Sequence, residues 1–91
     1  MAARVFTTRR GRITVTDEML IYEQRLNHLW RVSHRVYRVA RVDIDEVRIV
    51  TYAYWLRPVR IDVLVHHHGG LLTIPSIGRK TAEGLRAALG F

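Results

Sequence analysis

Residues 59–66 alternate between two sets of side chains, and this alternation restricts the fold more than any other feature of the chain. One set is Val59, Ile61, Val63 and Val65, and the other is Arg60, Asp62, Leu64 and His66. A period of two, with β-branched residues on one side, predicts a strand that buries one face. Gly69-Gly70 then predicts a hairpin turn, because glycine readily adopts the positive φ angles of such turns. Residues 71–74 form the returning strand, which Pro75 ends.

The first half of the chain carries further strand signals. Residues 12–16 alternate between apolar and polar side chains, Asp17-Glu18 predicts a turn, and residues 19–24 begin a second strand. Residues 48–56 are rich in Val, Ile, Tyr and Trp, which favour strands. We expect this third segment to be partly covered on both faces and to end before Arg57-Pro58.

Residues 26–42 fit two structures. At helical spacing, one face carries Leu26, Leu29, Trp30, Val36, Tyr37 and Ala40. The arginines lie largely off this face, which describes a basic amphipathic helix suited to a membrane surface or to nucleic acid. The valines at positions 32, 36, 39 and 42 are β-branched and favour strands instead. We expect strands joined by a loop, with a helix over residues 26–41 as the alternative. Just beyond, the spacing of three between Ile44 and Val47 predicts a turn or bulge.

The hydrophobic period changes after Gly78. Ala82, Leu85 and Leu89 form one apolar stripe over about three turns of helix. A helix this short is marginal alone in water, so it needs a surface on which to pack. The chain therefore predicts a mainly β (α+β) fold, with five to seven short antiparallel strands followed by one C-terminal α-helix.

The size and composition describe one folded domain with a basic surface. The 91 residues leave no room for two domains, so we expect one domain over residues 12–91 after a basic lead-in over residues 1–11. Fifteen Lys and Arg residues against eight Asp and Glu residues give a net charge of +7. This charge favours anionic partners, which are nucleic acid, an acidic lipid surface or an acidic protein.

The absence of cysteine excludes disulfides and thiolate metal sites. Because no apolar run is long enough for a signal peptide or a transmembrane segment, we expect a cytoplasmic protein.

Several stretches carry a resemblance to a known family. They are residues 13–22 (ITVTDEMLIY), residues 42–47 (VDIDEV), residues 70–75 (GLLTIP) and residues 81–85 (TAEGL). Over residues 12–90 the chain resembles a bacterial pleckstrin-homology-like (PH-like) domain. The resemblance implies a bent, nearly orthogonal antiparallel sheet, a PH-like open barrel that the terminal helix closes at one end, and it implies a binding or assembly module. In eukaryotic relatives a basic first hairpin binds phosphoinositides, and Arg9, Arg10 and Arg12 lie near that place.

The C-terminal segment carries a second, local resemblance. Residues 74–85 (IPSIGRKTAEGL) resemble the hairpin and second helix of a helix-hairpin-helix DNA-binding motif. The resemblance implies that backbone N–H groups near Gly78 contact a phosphate of duplex DNA, with charge added by the two basic residues that follow. The candidate nucleic-acid and anion contacts are Arg9, Arg10, Arg12, Arg35, Arg38, Gly78, Arg79 and Lys80.

No group of side chains predicts a catalytic or metal site. On a strand, His66 and His68 share one face and provide two imidazoles, but no spacing supplies a third ligand. The carboxylates at positions 43, 45 and 46 are expected to pair with arginines. Ser33 and Ser76 lack the glycine-flanked turn of a serine nucleophile. We therefore expect no enzyme, no cofactor and no metal.

The aromatic residues point to a docking surface. Trp30 and Trp55 are expected to fill the core or an oligomer interface, whereas Tyr52 and Tyr54 share the opposite face of their strand. A small domain with a second apolar sheet face often covers it with a partner or in a homo-oligomer. The leading function is a non-catalytic module that docks on a protein partner, or on itself, through Val50, Tyr52 and Tyr54. The alternatives are nucleic-acid binding and anionic-lipid binding.

Overall fold

The structure, a computed structural model, describes residues 3–28, 31–55 and 57–91. These residues form seven strands and one α-helix. The strands are β1 (Arg4–Thr8), β2 (Gly11–Val15), β3 (Met19–His28), β4 (Arg31–Ala40), β5 (Ile44–Tyr54), β6 (Arg57–His67) and β7 (Gly70–Ile74), and the helix is α1 (Arg79–Ala88). A 3-10 turn over Arg41–Asp43 joins β4 to β5. Within the described ranges, no helix is long and apolar enough to cross a membrane.

The strands pair antiparallel in two sheets. Sheet 1 has the order β1-β2-β3-β4, and sheet 2 has the order β5-β6-β7. The predicted mainly β fold, with antiparallel strands and one C-terminal helix, is confirmed. Strands are also confirmed over residues 26–28 and 31–40, where β3 and β4 form a long antiparallel pair. Its register runs from Met19 opposite Ala40 to His28 opposite Arg31.

The first strand lies in the segment that the sequence showed only as a basic lead-in. β1 pairs with β2 along its whole length, from Arg4 opposite Val15 to Thr8 opposite Gly11. Most of its residues are exposed, so the alternation that marks a half-buried strand is weak there. Phe6 is the residue of β1 that packs against the core. β1 is therefore an edge strand with a single anchor.

Two predicted irregularities between strands are confirmed. The chain bends at residues 17–18, where the Thr16 hydroxyl accepts a hydrogen bond of 2.9 Å from the N–H of Met19. At the start of β5, the register with β6 shifts between Ile44 and Glu46, which is the expected bulge. The polar pair Asp17-Glu18 therefore predicted the bend of the chain, and the break in the apolar alternation between Ile44 and Val47 predicted the bulge in β5.

Buried residues from both sheets and from α1 form one core. They are Ile13, Val15, Leu20, Tyr22, Val39, Ile44, Val47, Val63, Val65, Leu72, Ile74, Ile77, Ala82, Leu85 and Leu89. The last three are the predicted apolar stripe, and α1 contacts β1 of sheet 1 as well as β5 and β6 of sheet 2. Gly84 costs the helix some stability, but it leaves room for Phe6. A ring carbon of Phe6 lies 3.1 Å from the place that a Cβ of residue 84 would take.

Arg41 ties sheet 1 to the end of α1. Its Nη1 donates a hydrogen bond of 3.0 Å to the carbonyl oxygen of Thr16. Its Nη2 donates a second bond of 3.0 Å to the carbonyl oxygen of Ala88. The guanidinium therefore satisfies a carbonyl at the helix C-terminus, where the helix dipole also favours a cation.

Candidate functional site

A groove of about 490 Å³ separates β4, the last strand of sheet 1, from β7, the last strand of sheet 2. This β4–β7 groove is lined by Gln24, Val36, Tyr37, Arg38, Val39, His67, Leu71, Leu72 and Thr73. Successive side chains of a strand point to opposite faces, so four consecutive lining residues of β4 mean that its edge faces the groove. The three consecutive residues of β7 show the same. Two strand edges therefore form the walls.

The backbone along these walls is open to an added strand. In the described part of the chain, β4 pairs with β3 alone and β7 pairs with β6 alone. The N–H of Arg41 donates to the carbonyl oxygen of Glu18 at 2.9 Å. Because hydrogen bonds between antiparallel strands recur at every second residue, the amides of Tyr37 face β3, whereas those of Val36 and Arg38 face the groove. The edge of β4 thus presents both donors and acceptors.

The β4–β7 groove combines apolar surface with positive charge. Val36 on one wall and Leu71 on the other are 45% and 52% exposed. The Arg38 side chain is exposed on the same face of β4 as Val36, and no ion pair to it occurs among the described residues. The described lining also includes His67 and contains no carboxylate. The groove is therefore suited to a partly apolar segment with negative charge.

The docking residues predicted from the sequence lie on the outer face of sheet 2. Val50 is half-buried and stands opposite Asp62, and Tyr52 stands opposite Arg60. The guanidinium of Arg60 lies over the Tyr52 ring, 4.7 Å from its centroid. The side chain of Tyr54 lies outside the described residues. Tyr52 is therefore partly covered from within the chain by a cation–π contact.

Asp62 is a buried carboxylate on the side of β6 that the alternation marks as polar, and it is only 3% exposed. Its Oδ1 accepts a hydrogen bond of 3.1 Å from the N–H of Ser76 and forms an ion pair with Arg60, whose Nε lies 3.1 Å away. The loop after β7 folds back over it, since the N–H of Ile77 donates to the carbonyl oxygen of Ile61 at 2.9 Å. The sequence reasoning missed this network because only the folded loop brings Ser76 to the strand.

The sequence placed Trp30 and Trp55 in the core or in an oligomer interface. Trp55 is 88% exposed, so its predicted place in the core is wrong, and its place in an oligomer interface stays a prediction. The physical reason is its position in the turn between β5 and β6, where its φ angle is 58° and the chain reverses. Trp30 lies outside the described residues.

The candidate anion contacts occupy separate parts of the fold. Arg9 and Arg10 form the β1–β2 turn, Arg12 lies on β2, Arg35 and Arg38 lie on β4, and Gly78, Arg79 and Lys80 begin α1. Arg12 is paired with Glu23 at 3.0 Å across the sheet. Arg35 and Arg38 point to opposite faces of β4, because they are three positions apart and side chains alternate along a strand. The eight residues therefore do not share one face of the molecule, although Arg12 and Arg38 both lie on the outer face of sheet 1.

The start of α1 has its own local partners. Gly78 is the N-cap, without a side-chain cap. Arg79 donates to the Thr51 hydroxyl at 3.3 Å and lies 4.0 Å from a carboxylate oxygen of Glu83. Residues 61–67, which a helix-hairpin-helix motif would have in its first helix, belong to β6. Binding of nucleic acid here, and of anionic lipid at the β1–β2 turn, stays a prediction.

Sheet 1 contains two buried hydroxyl groups without a hydrogen-bond partner among the described residues, Tyr22 Oη and Thr8 Oγ1. The Tyr22 ring stacks on Tyr37, with the centroids 6.1 Å apart. Burial raises the pKa of the Tyr22 phenol above its usual value, Tyr37 adds to this effect, and the charge of Arg10 opposes it. Tyr22 therefore resists ionisation in the folded protein.

This raised pKa predicts an alkaline loss of stability that belongs to Tyr22. Above about pH 10 the unfolded chain releases the phenolic proton while the folded chain keeps it. The free energy of unfolding then falls with rising pH, by up to about 1.4 kcal/mol per pH unit from this residue. We expect Tyr22→Phe to remove that part of the decline and to change stability by less than about 1 kcal/mol at pH 8. Urea unfolding at pH 8 and at about pH 11 measures both effects, with Tyr52→Phe as the control at a half-exposed tyrosine. An equal decline in the free energy of unfolding of Tyr22→Phe and of the wild type contradicts the prediction.

The histidine run contacts acidic residues. The sequence placed His68 on the same strand face as His66, but His68 lies in the turn beyond β6. Its ring nitrogens lie 3.2 Å from Asp45 Oδ1 and 3.7 Å from Asp43 Oδ1. Among the described residues, an arginine pairs with Glu46, which Arg48 contacts at 3.0 Å, whereas Asp43 and Asp45 pair with His68. Within the described ranges, no group of three or more His, Cys, Asp or Glu residues is arranged to hold a metal.

Comparisons of the chain with models of protein families, with curated proteins and with solved structures find no match. The groove and the charged and aromatic surfaces around it are therefore the basis for assigning a function. Among the described residues, the β4–β7 groove brings the open backbone edges of two strands together with exposed apolar side chains from both of them.

Proposed function

We propose that this chain is a non-catalytic interaction module with a PH-like fold, and that it docks a protein partner in the β4–β7 groove. Two features of the fold support the PH-like assignment. The strands divide into a four-stranded and a three-stranded antiparallel sheet, and a C-terminal helix packs against both. The sequence resemblance over residues 12–90 has the same order of elements.

The single observation that supports docking most strongly is that two strand edges line the β4–β7 groove. Edge strands expose unpaired N–H and C=O groups, which proteins normally pair, cover or protect with charge. Here the groove volume of about 490 Å³ falls in the range of ligand-binding pockets. Residues 36–39 span about 13 Å of strand, enough to contact about four residues of an extended segment.

The charge of β4 favours a different protein over a second copy of this chain. β4 contains three arginines and no carboxylate. Two β4 edges paired with each other would bring the arginines of two copies onto neighbouring strands, and like charges on neighbouring strands are destabilising. A homo-oligomer of the kind expected from the sequence would instead use the outer face of sheet 2, around Val50 and Tyr52.

Peptide selection on the immobilised full chain tests this function. From a phage-displayed library of random 12-residue peptides, we expect enrichment of sequences that bind the wild-type chain. We expect Val36→Asp to weaken the selected peptides at least about tenfold, because it removes an apolar contact and adds negative charge to the groove. Fluorescence anisotropy with synthetic peptides measures the affinities.

Val42→Asp is the matched control, since Val42 is 89% exposed on the 3-10 turn and does not line the groove. It makes the same chemical change at another exposed valine, and its expected effect on peptide binding is less than about twofold. Equal weakening by the two substitutions would contradict a role for the groove. Absence of any enriched peptide would contradict the docking function itself.

A further inference from the structure

We propose that the occupant of the β4–β7 groove is an extended, acidic segment of the partner, which adds to sheet 1 as a fifth strand along β4. This inference rests on the proposed docking function and specifies its chemistry. The recognised sequence has an acidic residue opposite Arg38 and apolar residues opposite Tyr37 and Val36.

The backbone of β4 determines that the segment is extended. The N–H and C=O groups of Val36 and Arg38 face the groove, as the hydrogen bond from Arg41 to Glu18 establishes through the alternation of the ladder. Only an extended chain can pair with groups at this spacing, and strand addition of this kind is a general mode of peptide recognition. A helix has its own amides paired internally and would leave those of β4 unsatisfied.

The two faces of β4 determine where the side chains of the added segment lie. A residue opposite Tyr37 points to the inner side of sheet 1, where Tyr37 and Leu72 line the groove. A residue opposite Val36 lies beside that exposed valine, on the outer face. Cross-strand apolar pairs are a main source of sheet stability, so both positions favour apolar residues.

The charge around the groove determines that the segment is acidic. Arg38 stands next to Val36 along the outer face of β4 without an ion pair among the described residues. The described lining supplies His67 and no carboxylate, so nothing in the groove neutralises that guanidinium. A carboxylate opposite Arg38 forms a cross-strand pair of opposite charge, whereas a lysine there is repelled.

A charge-swap experiment tests this inference with two probes. The first is a fluorescein-labelled octapeptide with Glu-Ile-Val at its centre and threonines on both sides, and the second has Lys-Ile-Val instead. On the full chain we expect the Glu peptide to bind roughly tenfold more tightly than the Lys peptide. We expect this ratio to shrink between about 50 mM and about 200 mM salt, because surface charges are screened.

The decisive variant is Arg38→Glu, which we expect to reverse the preference in favour of the Lys peptide. Arg86→Glu is the matched control, because Arg86 is also exposed but lies on α1. We expect it to leave the Glu-to-Lys ratio unchanged, although it alters the net charge of the chain by the same amount. Hydrogen exchange of the full chain should show slower exchange at the amides of Val36 and Arg38 when the Glu peptide is bound.

Different failures distinguish this inference from the docking function. If the Glu and Lys peptides bind equally, or if library-selected peptides protect the amides of β7 and not those of β4, strand addition of an acidic segment along β4 is overturned and docking in the groove stands. Binding that moves to Tyr52 and its neighbours overturns docking in the groove together with strand addition. If neither the designed peptides nor any library peptide binds, both proposals are overturned.

Discussion

Gly11→Ala is expected to destabilise the protein by about 3 kcal/mol or more, a large share of the total stability of a small domain. A Cβ at residue 11 would overlap with the carbonyl oxygen of Glu23 and lie 3.2 Å from the Cα of Gln24. These are backbone atoms of β3, so no side-chain rotation relieves the contact. β2 lies between β1 and β3, with Gly11 opposite both Thr8 and Gln24, so neither neighbour can move without loss of the ladder.

Urea unfolding followed by circular dichroism measures this effect, and Gly78→Ala is the control. Gly78 has a φ of −68°, and a Cβ there would meet only the Thr81 hydroxyl, 3.9 Å away. We expect Gly78→Ala to cost less than about 1 kcal/mol, the scale of a weakened N-cap. If Gly11→Ala matches the control, β2 and β3 do not approach each other as closely as the structure has them.

The sequence predicted the elements whose burial is regular. β6 and β7 follow from the alternation of residues 59–66 and the glycine pair, and α1 follows from three apolar residues at helical spacing. In β7 and α1 one side faces the core and the other faces solvent, and in β6 one side carries the fully buried Val63 and Val65, so local sequence records the difference. β1 was not predicted because its apolar residues do not follow its burial: Val5 is exposed, whereas Thr8 is half-buried on the same face as Phe6.

The candidate groove was beyond local sequence reasoning for a related reason. Its walls, β4 and β7, are far apart in the chain, and they lie side by side only once the two sheets have packed. The property that defines the groove is unpaired backbone, which has no side-chain signature. Arg38 was a candidate anion contact from the sequence. Only the folded structure shows that Arg38 and Val36 line the same wall of a groove.

Asp62 shows that the alternation of side chains can also predict exposure for a residue that is buried. Its position on β6 predicts exposure, and sheet 2 by itself would leave it exposed. The loop that follows β7 covers it, and Ser76 supplies a hydrogen bond from its main chain. A buried carboxylate normally requires such partners, so the loop and Arg60 together make this position tolerable. Tyr52 then packs against Arg60, which links the predicted aromatic surface to an internal network.

The helix α1 packs against both sheets. It contacts β1 of sheet 1 and both β5 and β6 of sheet 2. Arg41 adds a polar link, since it joins the carbonyl oxygens of Thr16 and Ala88. We therefore expect α1, whose Leu85 is fully buried, to hold the two sheets in their relative position. The geometry of the β4–β7 groove depends on that relative position.

Leu85→Ala is accordingly expected to cost about 3 to 4 kcal/mol, the usual range for a fully buried leucine whose surroundings cannot collapse. Unfolding in urea should stay a single transition with an unchanged slope and a lower midpoint. Leu71→Ala makes the same change at a leucine that is about half exposed on the groove wall, and we expect it to cost less than about 1 kcal/mol. A second transition in Leu85→Ala, or a cost equal to that of Leu71→Ala, would mean that α1 unfolds separately from the sheets. In that case α1 would not set the spacing between β4 and β7, and the groove would depend on the sheets alone.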